Sequence, residues 1–190
     1  MNTTNNLAIL ASRSASNLET IYEASKNNLL NIDIKLLISN NTNSIALQKA
    51  NKLGIKNCLI NSKNSLNEQE DIYNLLKKND CKYIILSGYM KKLDSIITDN
   101  FIVINTHPAL LPLYGGAGMY GRHVHEAVIN NNEKYSGTTV HYVNENYDEG
   151  KIILQEKVEL SSDETIDSLE QKIKDLEKIA IIKALKLCLK

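Results

Sequence analysis

The sequence has 190 residues, of which 43% are hydrophobic and 23% are charged, proportions typical of a globular protein with a sizeable core. Lys and Arg together number 22, as do Asp and Glu, so the formal net charge is zero. This balance argues against a broad nucleic-acid or anionic-membrane surface, and neither partner is expected. The first apolar run is too short for a signal peptide or a membrane span, so a cytoplasmic location is expected.

Short apolar runs alternate with helical patterns over the first hundred residues. Strands are predicted at Leu7–Ala11, Ile32–Ile38, Asn57–Ile60, Tyr83–Leu86 and Phe101–Asn105, and helices at Asn17–Asn28, Ile45–Leu53 and Leu66–Lys78. This β-α-β-α order predicts an α/β fold, with a mostly parallel, twisted sheet and helices on both of its faces.

The pattern changes after the fifth predicted strand. A glycine-rich loop is followed by a predicted helix at Arg122–Asn131, by strands at Gly137–Val143 and Ile152–Glu159, and by a helix from about Glu164. Ser161 and Glu164 have the spacing of a capping box at the start of this last helix. No linker or block of charge marks a second domain, so residues 1–190 are expected to form one domain.

Neither the cysteines nor the histidines show the spacing of a metal site. Cys58, Cys81 and Cys188 share no C-x-x-C pattern and lie in apolar surroundings, which is typical of reduced structural thiols. His123, His125 and His141 have no cysteine or carboxylate cluster beside them, so surface or packing roles are favoured. No metal is expected.

The exit of the fifth strand carries two polar side chains that share a face. Ligands of parallel sheets bind beyond the carboxyl ends of the strands. Because strand side chains alternate, Asn105 and His107 point the same way just before Pro108 ends the ladder. Two interpretations stay open from these residues alone: a turn cap with a packed histidine, or a pair that faces a reacting group.

Four segments, in order along almost the whole chain, resemble the glycinamide ribonucleotide formyltransferase family. They are Ile85-Leu-Ser-Gly-Tyr-Met90, Asn105-Thr-His-Pro-Ala-Leu-Leu-Pro112, Ser136-Gly-Thr-Thr-Val-His141 and Tyr147-Asp-Glu-Gly-Lys-Ile-Ile-Leu-Gln155. The resemblance implies a Rossmann-like formyltransferase fold. It also implies transfer of a formyl group from 10-formyltetrahydrofolate to the amine of glycinamide ribonucleotide, a step of purine biosynthesis in one-carbon metabolism.

The resemblance further implies three catalytic residues, Asn105, His107 and Asp148. Asn105 would donate its amide to the developing oxyanion. His107 would stabilise the same charge and assist proton movement, and Asp148 would hold the imidazole and relay a proton through water. Without its partners, Asp148 would be an ordinary turn aspartate. The pattern also implies a cis peptide between Leu111 and Pro112.

The binding residues are likewise assigned by resemblance. The half of the chain up to about residue 100 is expected to bind the substrate phosphate, and the half from about residue 101 to bind folate and catalyse the transfer. The substrate would be bound by Ala15, Ser16, Asn17, Gly88 and Glu177. The folate would be bound by Met90, Lys91, Lys92 and Leu93, largely through their backbone, and by Asn144, Glu145, Asn146 and Tyr147. Small molecules are the expected partners, and the chain is expected to be a monomer or a homodimer.

The sequence departs from the family in its phosphate loop. Relatives usually carry glycine where this chain has Arg13 and Ala15, and a non-glycine residue in a left-handed conformation costs about 1–2 kcal/mol. We expect the loop to keep binding phosphate through Ser16, Asn17 and nearby amides, more weakly or with an altered shape, with Arg13 available to pair with the phosphate. Glu177 has an alternative interpretation as a solvated helix charge.

Two other functions remain open from the sequence. The acceptor amine could belong to another molecule, such as an amino-sugar nucleotide, or the chain could be a non-catalytic paralogue that binds folate or nucleotide. The segment from Gly116 to Gly121 has the spacing G-x-G-x-x-G, but no strand precedes it. Dinucleotide binding is therefore not expected, and a mobile loop beside the active site is favoured.

Overall fold

The computed structural model describes residues 4–189. Its strands are β1 (Asn5–Ala11), β2 (Ile32–Ser39), β3 (Asn57–Leu59), β4 (Tyr83–Leu86), β5 (Ile102–His107), β6 (Tyr135–Tyr142) and β7 (Ile152–Glu159). Its helices are α1 (Leu18–Lys26), α2 (Ile45–Lys52), α3 (Glu68–Lys78), α4 (Ser95–Thr98), α5 (Arg122–Asn130) and α6 (Ile166–Cys188). Every element predicted from the sequence is present, with ends shifted by a few residues, and only α4 was not predicted. No helix within residues 4–189 combines the length and apolarity that crossing a membrane requires.

The strands form one sheet in the order β3-β2-β1-β4-β5-β6-β7. The pairs β1/β2, β1/β4 and β2/β3 are parallel, whereas β6 and β7 are antiparallel. The predicted α/β class with a mostly parallel sheet is confirmed. The chain runs from β1 to β2 and β3 on one side and then returns to β4 on the other side of β1. Such a reversal leaves a crevice at the carboxyl ends of the two strands, where ligands of open α/β sheets bind.

The chain divides into two compact units. The N-terminal unit extends to Ile104, and the C-terminal unit runs from Asn105 to Cys188, so β5 contributes residues to both. In the N-terminal unit, β1 and β4 are almost wholly buried, as expected for central strands of a parallel sheet.

Ser44 ties a helix of the N-terminal unit to the loop that follows β1. Its hydroxyl accepts a hydrogen bond from the amide of Ala46, which caps α2, and donates one to the carbonyl oxygen of Arg13 at 2.7 Å. The amide of Ala46 also reaches the Arg13 carbonyl at 2.9 Å. The start of α2 therefore fixes the backbone of the loop in which the sequence predicts phosphate binding.

In the C-terminal unit, α6 supplies most of the helical core. Its inner face repeats at spacings of three and four, and its buried residues are Leu169, Ile173, Glu177, Ala180, Ile181, Ala184 and Leu185. The predicted capping box at Ser161 and Glu164 is wrong. Thr165 and Ser168 form the reciprocal pair instead, since each hydroxyl accepts the other residue's amide, at 3.1 Å and 3.0 Å. Thr165 directly precedes the first helical residue, whereas Ser161 lies a full turn too early.

Candidate active site

The segment after β5 is held by threonine hydroxyls of β6. Thr138 Oγ1 donates to the carbonyl oxygen of His107 at 3.0 Å, and Thr139 Oγ1 donates to that of Ala109 at 2.7 Å. Both threonines are fully buried. Buried hydroxyls of this kind are costly unless paired, so these bonds fix the path of the chain past His107.

Leu111, two residues after Ala109, is fixed in the same way. The amide of Leu111 donates to Thr139 Oγ1 at 3.0 Å, and Gln155 Nε2 donates to the carbonyl oxygen of Leu111 at 2.9 Å. The peptide between Leu111 and Pro112 is cis, which confirms the expectation from the resemblance. Three of the four resembling segments therefore meet through hydrogen bonds around this turn.

His107 lies at the end of β5 with only 3% of its surface exposed. Its Nε2 is 2.7 Å from the carbonyl oxygen of Tyr114, and its Nδ1 is 3.4 Å from Oδ2 of Asp148. A carbonyl oxygen can only accept, so Nε2 carries a proton and the neutral ring presents an unprotonated Nδ1 to the carboxylate. Burial lowers the pKa of His107 below its ordinary value, although Asp148 and the Tyr114 carbonyl act in the opposite direction.

Asp148 stands on the turn between β6 and β7 in a left-handed conformation, with φ of 57°. Its Oδ2 accepts the amide of Gly116 at 2.9 Å. Burial alone raises the pKa of Asp148, but His141, His107 and the Gly116 amide together outweigh burial and hold that pKa below its ordinary value. Asp148 is thus held as a carboxylate beside His107. Gly116 is the first glycine of the G-x-G-x-x-G segment, which here supplies an amide to a carboxylate.

Asn105 is oriented by His141, a residue whose place in the site the sequence did not predict. His141 Nδ1 is 2.8 Å from the carbonyl oxygen of Tyr142, so that nitrogen is protonated and Nε2 accepts from Nδ2 of Asn105 at 3.1 Å. His141 Nε2 is also 3.6 Å from Oδ1 of Asp148. The sequence assigned His141 a surface or packing role. The available signal was its position at the end of the third resembling segment.

The predicted triad is therefore assembled within one unit. An amide with a second N–H and an imidazole with a free basic nitrogen lie at the end of β5, where His107 contacts Asp148 directly and Asn105 is linked to Asp148 through His141. Together these groups can donate to a developing oxyanion, accept a proton and stabilise the imidazolium that results. No group of three His, Cys, Asp or Glu side chains in residues 4–189 is arranged to hold a metal ion.

In the N-terminal unit, the loops after β1 and β4 meet at the reversal of the sheet. The amide of Ser12 donates to the Gly88 carbonyl oxygen at 3.1 Å, and Ser12 Oγ accepts the amide of Met90 at 2.8 Å. The amide of Asn17 donates to Ser87 Oγ at 3.2 Å. The predicted phosphate loop and the predicted start of the folate wall are thus adjacent, joined through Ser12.

The backbone of the predicted phosphate loop is left-handed at one of the two non-glycine positions. Ala15 has φ of 47° and is 1% exposed, and its carbonyl oxygen accepts the amide of Leu18 at the start of α1. Arg13 is not in the left-handed region and its side chain is exposed. Of the two departures from glycine, only Ala15 carries the conformational cost anticipated from the sequence. Ser16 is half-buried between Ala15 and the buried Asn17.

The predicted folate wall after β4 is anchored to α3. Lys91 Nζ lies 2.6 Å from the carboxylate of Glu68. Gln69 donates to the carbonyl oxygen of Lys92 at 3.0 Å and accepts the amide of Asp94 at 3.2 Å. Leu93 is buried, whereas Met90 is 38% exposed. Lys91 is engaged in an ion pair and Lys92 is exposed, so Met90, Lys92 and the backbone are the groups that this segment offers to a ligand.

The second predicted folate segment, residues 144–147, is exposed and immediately precedes Asp148. Asn144 Oδ1 accepts the amide of Asn146 at 3.0 Å, and Asn146 Nδ2 donates to Glu149 at 2.9 Å. The first of these bonds forms an Asx turn, a local motif that asparagine favours. Glu145 is exposed, and Tyr147 is 49% exposed. The segment presents polar groups and one aromatic ring beside the carboxylate.

Glu177 lies on the buried face of α6 and is only 9% exposed. Burial raises the pKa of its carboxyl to about 8, although Lys174 acts to lower it. The interpretation of Glu177 as a solvated helix charge is therefore wrong. The apolar repeat of α6 placed its neighbours Ile173 and Ala180 in the core, and Glu177 shares their face.

A family model described as formyl transferase matches residues 5–185. The phosphoribosylglycinamide formyltransferase of Haemophilus influenzae is 33% identical over 176 residues, which cover 90% of this chain and 81% of that protein. The chloroplastic phosphoribosylglycinamide formyltransferase of Arabidopsis thaliana is 32% identical over 174 residues, or 88% of this chain. The chain spans only 59% of that plant protein.

A solved structure shows the same architecture. The crystal structure of phosphoribosylglycinamide formyltransferase from Bacillus halodurans has a TM-score of 0.88 and 28% identity, and covers 97% of this chain and 95% of that one. The fold, the order of the resembling segments and the nearly complete match to the family model agree. The chain belongs to the formyl transferase family.

Proposed function

We propose that this protein transfers the formyl group of 10-formyltetrahydrofolate to the amine of glycinamide ribonucleotide, a step of purine biosynthesis. Membership of the formyl transferase family and the names of its relatives support this activity. The observation that carries the proposal is the 3.4 Å approach of His107 Nδ1 to Asp148 Oδ2, beside an amide that has an N–H to spare. A cytosolic location and a monomeric or homodimeric state are part of the same proposal.

The proposed reaction begins with attack of the acceptor amine on the formyl carbon. One N–H of Asn105 is engaged by His141, and the other donates to the oxygen that becomes negative. The amine loses one proton to Nδ1 of His107, and Asp148 stabilises the imidazolium that forms. Collapse of the intermediate breaks the bond to N10 of the folate. N10 receives the proton, directly or through water, so the proton count is unchanged overall.

The proposed binding sites follow the loops. The phosphate of the substrate is bound by Ser16, Asn17 and the amides at the start of α1, with Arg13 as its charged partner. Gly88 closes the same site through its contact with Ser12. In this proposal, Glu177 accepts hydrogen bonds from the ribose hydroxyls.

The folate half of the proposal uses two segments. Met90, Lys91, Lys92 and Leu93 form one wall and contribute mainly backbone groups. The exposed turn of Asn144, Glu145, Asn146 and Tyr147 covers the pterin. No catalytic metal is part of this mechanism.

A second candidate is a paralogue that binds folate or nucleotide without turnover. The left-handed Ala15 favours it, because a methyl group and a strained backbone stand where relatives place glycine. Against it, the three groups that the chemistry needs lie within reach of each other. Transfer to another amine, such as that of an amino-sugar nucleotide, uses the same groups.

The test is an absorbance assay for release of the deformylated folate analogue. Glycinamide ribonucleotide and an amino-sugar nucleotide are each offered as the acceptor. Release is expected with glycinamide ribonucleotide and should fall at least about a hundredfold in His107→Ala. His123→Ala is the matched control, since His123 is exposed and stacks on Tyr120. Release only with the amino-sugar nucleotide would identify that molecule as the acceptor. No release with either acceptor would support a paralogue that binds folate or nucleotide without turnover.

A further inference from the structure

Tyr114 is held at both ends. Its carbonyl oxygen accepts the proton on Nε2 of His107 at 2.7 Å. Its phenol donates to Oε1 of Glu133 at 2.7 Å and accepts from Nδ2 of Asn131 at 2.9 Å. Asn131 and Glu133 belong to the turn between α5 and β6. One residue thus joins that turn to the imidazole of the triad.

The backbone of Tyr114 is in the left-handed region, with φ of 56°. This conformation is a genuine outlier for a bulky residue and persists only where surrounding contacts over-determine it. The two phenol hydrogen bonds supply such contacts. The ring also packs against the cluster formed by Val128, Leu169 and Ile173. The side chain therefore holds the strained backbone that directs the carbonyl at His107.

The contact decides which nitrogen of His107 is basic. With Nε2 donating to a carbonyl, the lone pair of the neutral ring is on Nδ1, beside Asp148. Without the carbonyl, the neutral ring gains by placing its proton on Nδ1 and donating to Asp148. The lone pair would then be on Nε2, away from the carboxylate that stabilises the imidazolium. This is the wrong tautomer for proton transfer at Nδ1.

We propose that Tyr114 is a positioning residue, whose clamped phenol fixes the Nε2–H tautomer of His107 through the Tyr114 carbonyl. The tautomer itself is a property of the free protein. Its effect on turnover rests on the proposed formyl transfer. Glu133 is the acceptor that keeps the clamp closed, and Asn131 is the second contact.

The primary test is ¹⁵N NMR of histidine-labelled free protein at pH 7.5, with His107 assigned by its loss in His107→Ala. The wild type is expected to show an unprotonated Nδ1 and a protonated Nε2. In Tyr114→Phe we expect a substantial Nδ1–H population. The value of kcat should fall about tenfold, with KM changed less than twofold. Tyr120→Phe removes a hydroxyl from an exposed ring and is the matched control.

A second pair of variants keeps the test decisive where Tyr114→Phe does not fold. Glu133→Gln retains an oxygen acceptor for the phenol and should preserve both tautomer and kcat. Glu133→Ala removes the acceptor and should reproduce the Tyr114→Phe result. If Glu133→Ala or Tyr114→Phe keeps the wild-type tautomer of His107, the proposal is overturned even where kcat falls. A merely structural role of Tyr114 would also lower kcat. Absence of formyl transfer in a wild type with the expected tautomer refutes the proposed function alone.

Discussion

Replacing Glu177 with glutamine should stabilise the protein increasingly as pH rises. Glu177 is buried on the apolar face of α6, and burial raises the pKa of its carboxyl from 4.5 to about 8. Between these values the folded protein holds a proton that the unfolded chain has released. The unfolded state therefore binds fewer protons, and stability falls as pH rises through this window. Glutamine has nearly the same shape and does not titrate.

The size of the effect follows from the interval between the two pKa values. One pKa unit corresponds to about 1.4 kcal/mol, so the stability that the wild type loses through Glu177 grows by about 4 kcal/mol between pH 5 and pH 8. This cost is a large share of the roughly 5–15 kcal/mol that stabilises a typical domain. The advantage of Glu177→Gln over the wild type should therefore be small at pH 5 and on the order of 4 kcal/mol larger at pH 8.

Urea unfolding at pH 5, 6, 7 and 8 measures this difference, because the change in midpoint at constant slope reports stability alone. Glu23→Gln is the matched control. Glu23 is exposed on α1, so its substitution should leave the pH dependence unchanged. If Glu177→Gln exceeds the wild type in free energy of unfolding by the same amount at every pH from 5 to 8, Glu177 does not have a raised pKa in the folded protein. If Glu177 also binds the ribose, the stabilised variant should have a higher KM.

Three further substitutions test the site and its supports. Asp148→Asn should lower kcat about a hundredfold or more. It should also move the acid limb of kcat/KM to lower pH, because the carboxylate no longer raises the pKa of His107. An unchanged pH profile would contradict this prediction. Gly150→Ala would place a Cβ against the carbonyl oxygen of Tyr142, closer than van der Waals contact allows. Urea unfolding should therefore show a loss of about 1–3 kcal/mol, and wild-type stability would argue against that close approach. Ser44→Ala removes a helix cap and a hydrogen bond to the loop after β1. The free energy of unfolding measured in urea should fall by about 1–2 kcal/mol, and KM should rise with kcat unchanged. A fall in kcat at constant KM would contradict a role of Ser44 in substrate binding.

Periodicity and turn residues predicted the strands well where both signals agreed. The bounds of β4 and β7 match the prediction, since each strand is flanked by turn-forming or polar residues. At β5 the predicted range stopped at Asn105, whereas the strand continues to His107. Only Pro108, which has no N–H for the ladder, ends it.

The short helix α4 and the N-terminal cap of α6 were not predicted from the sequence. The helix α4 has four residues, which is too few to show a helical repeat. At α6 the prediction placed the cap at Ser161, but Thr165, which directly precedes the first helical residue, accepts the amide of Ser168. Local propensity is a weak guide when two candidates lie four residues apart.

The site was predictable in its side chains and not in its backbone partners. Resembling segments identified Asn105, His107 and Asp148, which the fold brings together. The place of His141 depends on how β6 pairs and how the turn to β7 returns, neither of which a single sequence determines. The contact of His107 with a carbonyl oxygen was equally hidden, because every residue has a carbonyl and only the fold selects one.

The alignment of His141 and Asp148 by main-chain atoms has a consequence for which residues of the sequence can vary. His141 is aligned by the carbonyl oxygen of Tyr142, and Asp148 by the amide of Gly116. Replacing the side chain at position 142 leaves that acceptor in place as long as β6 keeps its path. A library of substitutions at position 142 should therefore retain far more active members than one at position 141. At position 142 the backbone of β6 supplies the contact, so that residue can vary while His141 stays aligned.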